Sequence, residues 1–324
     1  MNVTVTLFLQ YLIIGLATGS LIALIALGYT LVYGIIELIN FAHGEVFMMG
    51  AFFAATLIAL TGITNESGGV AIVGILLVAL VGSMIFSAAL NFGIDRVGYQ
   101  RLRNAPRLAA LIAAIGFSFI LQNIGIYWRG SNPFRPPEII PAEYRSMNIL
   151  TEWLGLDTAV RFRLLDLFVI GVTIPLLVGL TWFVYKTRVG TAMRATAQDR
   201  EAASLMGINI NWTIGVAFLL GGALAGAAGM VALYYNDNAR FQMGFRYGLF
   251  AFTAAVLGGI GNLTGAVVGG LLIGLAWSFS DGFVKLFIPA WGPQWTTSLV
   301  FGLLILVLVF RPSGLLGEET PDKV

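Results

Sequence analysis

The chain has 324 residues, 58% of them hydrophobic and 10% charged, with a formal net charge of +2. A soluble domain carries about a quarter charged residues, so this composition excludes a water-solvated globule and suits a surface solvated by lipid. The absence of Cys and the single His exclude disulfides, thiolate metal sites and a His-only metal cluster within the chain, and the net charge gives no reason to expect nucleic acid.

A spanning helix needs about 20 mostly apolar residues. The first apolar segment, residues 7–35, is punctuated by Gly15, Gly19, Gly28 and Gly34. No Lys or Arg precedes Arg96, so the basic n-region of a cleavable signal peptide is missing and this segment is expected to be a retained span. Residues 46–62 and 70–91 follow, parted by the polar turn Thr64–Gly69. Residues 108–128, 165–185 and 212–235 are the next three spans; residues 247–279 are apolar but interrupted at Gly258–Asn262, and residues 296–310 close the series. The expectation is an all-α, polytopic transmembrane bundle of about eight spans, with broken or re-entrant helices near 36–46 and 258–265. It forms a single domain over 1–324.

Loop charge orients the bundle. Arg96, Arg101, Arg103 and Arg107 follow the third span against one acid, Asp95, and Lys186, Arg188, Arg194 and Arg200 follow the fifth. Two crossings separate these loops, which places both on one side, expected to be cytoplasmic. The segment of about 129–164 then lies outside, its Arg residues mixed with Glu138, Glu143, Glu152 and Asp157. The N-terminus is expected outside and the C-terminus, with Arg311, inside. That parity requires residues 247–279 to enter and leave on the same face, as a hairpin of two short helices.

Three segments carry the functional signal. Ile39–Gly50 holds the only His, with Asn40 before it and Glu45 after. Polar groups at a helix break inside a membrane are costly unless they serve a path or a partner. Asn40, His43, Gly44 and Glu45 read either as a tight turn in which Asn40 caps the next helix or as a broken helix beside a translocation path. The second segment is Gly258–Gly265. Ile39-Asn40-Phe41-Ala42-His43-Gly44 and Ile260-Gly261-Asn262-Leu263-Thr264-Gly265 share an Ile, an Asn and a polar residue before Gly. Interrupted segments in corresponding places of two halves suggest an inverted repeat around a central path, which would involve Gly258, Gly259, Asn262 and Thr264; a close-packing glycine face is the other reading. The third is Arg194–Asn209, Ala-rich with mixed charge, expected to form a short helix outside the lipid core that Gly207 ends in a left-handed conformation. It reads as an ordinary surface helix or as a docking helix for a second protein. Asp166 is expected at the membrane surface, close to Arg161 and Arg163, and Gln122 and Asn123 are expected to tie helices together.

These residues resemble a known family. Glu201-Ala202-Ala203 followed three residues later by Gly207 is similar to the EAA loop of ABC-importer permeases, which inserts into the ATPase subunit. The run Ala195–Asn209, the stretch Ala26–Ile36 leading into Asn40-Phe41-Ala42-His43-Gly44-Glu45, the Val256–Gly261 turn and the closing Phe310–Gly317 resemble branched-chain amino-acid permeases of the H type. The resemblance implies a bacterial inner-membrane subunit of an ATP-driven importer for branched-chain or other neutral amino acids. It implies two cytoplasmic ATPase subunits docked on a coupling loop of about 186–211, through Arg194, Asp199, Glu201, Ala202, Ala203 and Gly207. A second, M-type permease chain and a periplasmic or lipid-anchored binding protein complete the assembly. ATP and Mg²⁺ would sit on the partner ATPases and no cofactor or catalytic residue on this chain, in keeping with the absence of a Gly-Lys P-loop signature. The competing expectation is an ion-gradient-driven transporter in which His43 and Glu45 relay a proton.

Overall fold

In the computed structural model, residues 3–36, 38, 40–103, 105–153, 155 and 159–317 are described. Ile39 and Asp157, both invoked above, lie outside the described residues. Helix α1 runs from Val3 to Ile36, α2 from His43 to Thr61, α3 from Gly69 to Ile94 and α4 from Arg107 to Arg129. After the 130–163 segment come α5 (Leu164–Lys186), two short helices α6 (Arg188–Gln198) and α7 (Arg200–Leu205), and α8 (Ile210–Tyr235). Then follow α9 (Met243–Gly258), α10 (Leu263–Ser278) and α11 (Pro293–Phe310). Among the described residues seven helices are long and apolar enough to cross a membrane, and Met243–Gly258 and Gln294–Phe310 are shorter apolar helices. The chain is a polytopic helical membrane bundle. The apolar stretch at 247–279 resolves into α9 and α10, turning over Gly259–Asn262 as the glycines imply.

Burial separates the helices into a centre and a rim. The apolar window of α8 is 83% buried, those of α2 and α1 67% and 61%, while those of α3, α4 and α5 are 22–28% buried. The central contacts rest on glycine. A Cβ on Gly222 would lie 2.7 Å from Asn91 Cβ and 2.9 Å from Ala88 Cα, so α8 and α3 meet backbone to backbone.

One end of the bundle gathers the last turn of α1, Arg103, Ala105 and the α6–α7 segment around a shared cleft; it is called the basic end here. The opposite end holds the 130–163 segment, tied to α1 through Gln10 and the backbone of Arg161 at 2.7 and 3.0 Å. Of the basic residues after the third span, Arg96 and Arg101 are helical, Arg107 opens α4 and Arg103 lies in the turn between. Helix α3 runs on through a π-helical turn, Asp95–Tyr99, to Leu102. Asp95 is fully buried and accepts from Arg103 at 2.7 Å, and Arg103 also bonds Asn211. Asp166 is 1% exposed and held by Arg163 at 3.0 Å across the first turn of α5.

The two halves repeat in inverted order. α1–α2–α3–α4 and α8–α9–α10–α11 each consist of a long helix, a break, a short helix, a turn, a helix ending in a π-turn and a final helix. The π-turns are Asp95–Tyr99 and Phe279–Val284. α1 packs on α10 as α8 packs on α3, and α1 starts at the end where α8 finishes, since Gln10 bonds Arg161 and Arg163 lies over Tyr235. The partner of the first break is therefore not Gly258–Gly265, as the short sequence likeness suggested. It is the turn before α9: Asn40-Phe41-Ala42-His43-Gly44 and Arg240-Phe241-Gln242-Met243-Gly244 have the same turn, closed by His43 N to Asn40 O and Met243 N to Arg240 O, each 3.0 Å. The Gly259–Asn262 turn instead corresponds to Gly62–Gly68 between α2 and α3.

Candidate functional site

The first break enters deep into the bundle. His43 lies against Gly28 of α1, eight residues before that helix ends, which is about 12 Å at 1.5 Å per residue. The second break enters from the other end. The two short helices then meet N-terminus to N-terminus: a Cβ on Gly44 would lie 2.8 Å from Gly248 Cα, and one on Gly244 would lie 2.8 Å from Gly44 O. Only glycine permits this approach. Non-helical backbone at such depth is tolerated where protein or a water-filled cavity surrounds it.

Each polar group of the first break faces a different neighbour. Asn40, 2% exposed, accepts at Oδ1 from Ala42 N and from Tyr99 Oη, both at 3.1 Å, and donates to Asn91 Oδ1 at 3.2 Å. Asn91 in turn donates to the carbonyl of Phe218 at 2.7 Å. Asn40 thus fastens the break to α3 and α8; it does not cap α2, whose N-cap is Ala42. His43 turns toward α1, edge-on to the Tyr29 ring at 4.7 Å. Glu45 is fully buried on another side of α2 and accepts at Oε1 from Gln122 Nε2 at 2.8 Å and Ser118 Oγ at 3.2 Å, both on α4. Residues two apart on a helix do not face each other, and His43 and Glu45 form no relay pair.

Ser118 and Gln122 also line a cavity of about 630 Å³ between α4 and α9, and both break turns reach it through Phe41, Phe241 and Gln242. Ile115, Phe119, Phe245 and Leu249 supply apolar wall, and Arg240 and Arg246 supply charge. Its size is that of a small-molecule site. Of Asn40, His43, Gly44 and Glu45, Glu45 backs this cavity through Ser118 and Gln122, while Asn40 and His43 face α3 and α1 and Gly44 faces α9. Gly258, Gly259, Asn262 and Thr264 are not beside it. They lie at the basic end, where Asn262 accepts from Gly265 N at 2.9 Å as the N-cap of α10. The segment Arg311–Gly317 folds over them: Leu315 N and Leu316 N donate to the carbonyls of Leu257 and Gly258 at 2.8 and 3.0 Å, and Asn262 Nδ2 to that of Leu316 at 2.7 Å. Ser118, Gln122, Arg240 and Arg246 were not singled out as site residues in the sequence. The signal for Arg240 alone was present, in the Asn40-Phe41…Gly44 and Arg240-Phe241…Gly244 likeness, 200 positions apart.

The Arg194–Asn209 region forms two helices, not one. Asp199 takes an extended conformation and caps α7, its Oδ1 accepting from Ala202 N at 3.0 Å. Gly207, at φ +83°, ends α7 with Gly207 N to Ser204 O and Ile208 N to Ala203 O, a Schellman closure. Ala203 packs inward; Arg194, Asp199, Glu201, Ala202 and Gly207 are exposed. So are two apolar side chains the sequence did not flag, Leu205 at 87% and Met206 at 83%. Arg200 Nη2 donates to the carbonyl of Ile35 at 2.9 Å, coupling α7 to the end of α1 and so to the first break.

A family model described as "Branched-chain amino acid transport system / permease component" matches residues 11–309. The chain belongs to this family. Among relatives of this permease, the high-affinity branched-chain amino acid transport system permease protein BraD of Pseudomonas aeruginosa is 40% identical, over 98% of each chain. The permease protein LivH of the corresponding Escherichia coli system is 37% identical, again over 98% of each. A probable LivH of Methanocaldococcus jannaschii is 29% identical over 93% of this permease and 90% of its own length. No solved structure matches.

Proposed function

We propose that this chain is a membrane-spanning subunit of an ATP-driven importer for branched-chain amino acids. End-to-end similarity to branched-chain amino acid permeases carries the reading. Two features of the fold support it. A segment with exposed Leu205 and Met206 projects from the basic end, where an ATPase would dock, and a mid-depth cavity combines apolar walls with a few polar groups. The cavity opens at a surface where Phe119 and Phe245 are 61% and 55% exposed, yet Gln122, Arg240 and Arg246 line it. Lipid is a poor cover for arginine at this depth, so a second permease chain, a related M-type copy, would close the path between the two. Two ATPase copies would grip the α6–α7 segments from the cytoplasm, and a binding protein would dock on the 130–163 end from outside. ATP-driven approach of the ATPases would move α7, and through Arg200 the end of α1 and the first break, rocking one half-repeat against the other.

The experiment is uptake of labelled leucine into proteoliposomes that hold the chain with its ATPases and partner permease, ATP inside and binding protein outside. Accumulation that requires both ATP and binding protein is the expected result. Uptake that ignores ATP and follows a pH or Na⁺ gradient would overturn the reading in favour of secondary transport.

A further inference from the structure

Arg240 and Arg246 stand out among the charged residues. Each lines the 630 Å³ cavity and also a second, more polar one of about 370 Å³, walled by Pro133, Asn236, Asn238, Met243, Tyr247 and Trp277. The two arginines are thus the partition between an outer chamber beside the 130–163 segment and the mid-depth chamber at the breaks. Among the described residues neither is ion-paired. Asp237, the acid nearest in sequence, is held by Arg145 at 3.3 Å. Arg246 lies over the Trp277 ring at 4.6 Å from its centroid and over Phe250 at 5.9 Å. Stacking holds a guanidinium plane while leaving its edge N–H donors free, the arrangement that takes a carboxylate in bidentate fashion. Arg240 sits in the turn that opens α9, where unpaired backbone N–H groups add to the positive field.

We infer that Arg240 and Arg246 form a carboxylate-recognition station at which an α-amino acid passes from the outer to the mid-depth chamber. The inference rests on the transport reading above and specifies how its solute is selected. The solute's carboxylate engages the two guanidinium groups, and its aliphatic side chain lies on Phe41, Phe241, Phe245 and Leu249. Its ammonium faces Ser118 and Gln122, behind which the carboxylate of Glu45 is buried. The station would reject a neutral amide or ester of the same side chain, because such a solute brings no counter-charge and no Asp or Glu lines either chamber among the described residues.

The test uses the assembled transporter in proteoliposomes. Arg240→Gln with Arg246→Gln is expected to lower ATP-dependent leucine uptake at least tenfold while the ATPases still co-purify in normal ratio; Arg240→Lys with Arg246→Lys keeps the charge but loses the stacked bidentate fork and is expected to restore uptake only in part, to at least threefold above the Gln variant. Gln variants that transport within twofold of wild type overturn the station and leave the importer reading standing. Loss in the Gln and Lys variants alike assigns the arginines to packing and equally overturns it. Saturation-transfer NMR on the wild-type complex in nanodiscs needs no variant: magnetisation is expected to reach leucine and not leucinamide. Equal transfer to both overturns the proposal. Absence of ATP-dependent uptake by the wild-type complex overturns the transport reading itself.

Discussion

Asn40→Ala isolates what holds the first break in place. The substitution removes three hydrogen bonds at once, to Ala42 N, Tyr99 Oη and Asn91 Oδ1, in a site where Asn40, Tyr99 and Asn91 are 2%, 1% and 0% exposed. Side-chain hydrogen bonds in membrane proteins average about 0.6 kcal/mol each, which sets a floor of about 2 kcal/mol for the three. The Tyr99 hydroxyl and the Ala42 N–H are left as buried donors, and an orphaned buried group costs about 1–3 kcal/mol, so about 4 kcal/mol is expected. Tyr99→Phe removes one bond and its donor together and is expected to cost about 1 kcal/mol. Equilibrium unfolding in mixed micelles would measure both. In the double variant the costs are expected to be non-additive by about 1 kcal/mol, because both remove the same Tyr99–Asn40 bond. A cost for Asn40→Ala below about 0.5 kcal/mol, or strict additivity with Tyr99→Phe, refutes the view that Asn40 anchors the break.

Three further outcomes follow from the structure. Asp95→Ala leaves the Arg103 guanidinium, 11% exposed, without its 2.7 Å partner and is expected to destabilise by about 3 kcal/mol; joint replacement of Asp95 and Arg103 by Leu, followed by thermal melting, is expected to recover most of this. Leu205→Asp with Met206→Asp, at side chains 87% and 83% exposed, is expected to leave folding intact and abolish ATPase co-purification. It is a cleaner probe than Gly207→Trp, which forces a bulky L-residue to φ +83°. Because the chain has no Cys, single cysteines report without background: Ser204→Cys is expected to label only from the cytoplasmic side and Ser67→Cys only from outside, and labelling of both from one side would reject the assigned parity.

The similarity of the two breaks was within reach of the sequence but weak. Phe and Gly recur at 41 and 44 and at 241 and 244, while the residues between differ. The competing likeness to Ile260–Gly265 was longer, because Asn before a helix is a cap in its own right and recurs wherever a helix starts. Asn262 is such a cap and Asn40 is not, so their likeness is one of residue type alone. Gln122 was visible as a polar residue in a span, but its partner Glu45 is 77 positions away.

The sequence by itself determined the membrane class, the placement of most spans, the exposed segment at 194–209 and the family. These rest on composition, apolar length and local runs, which are properties of neighbouring residues. The tertiary structure alone decided that α2 and α9 meet head to head at mid-depth and that the Gly258–Gly265 turn lies under the C-terminal segment instead. It also placed Ser118, Gln122, Arg240 and Arg246 around one cavity. Those relations join residues tens to hundreds of positions apart, and they depend on which glycines come into register when the two halves pack.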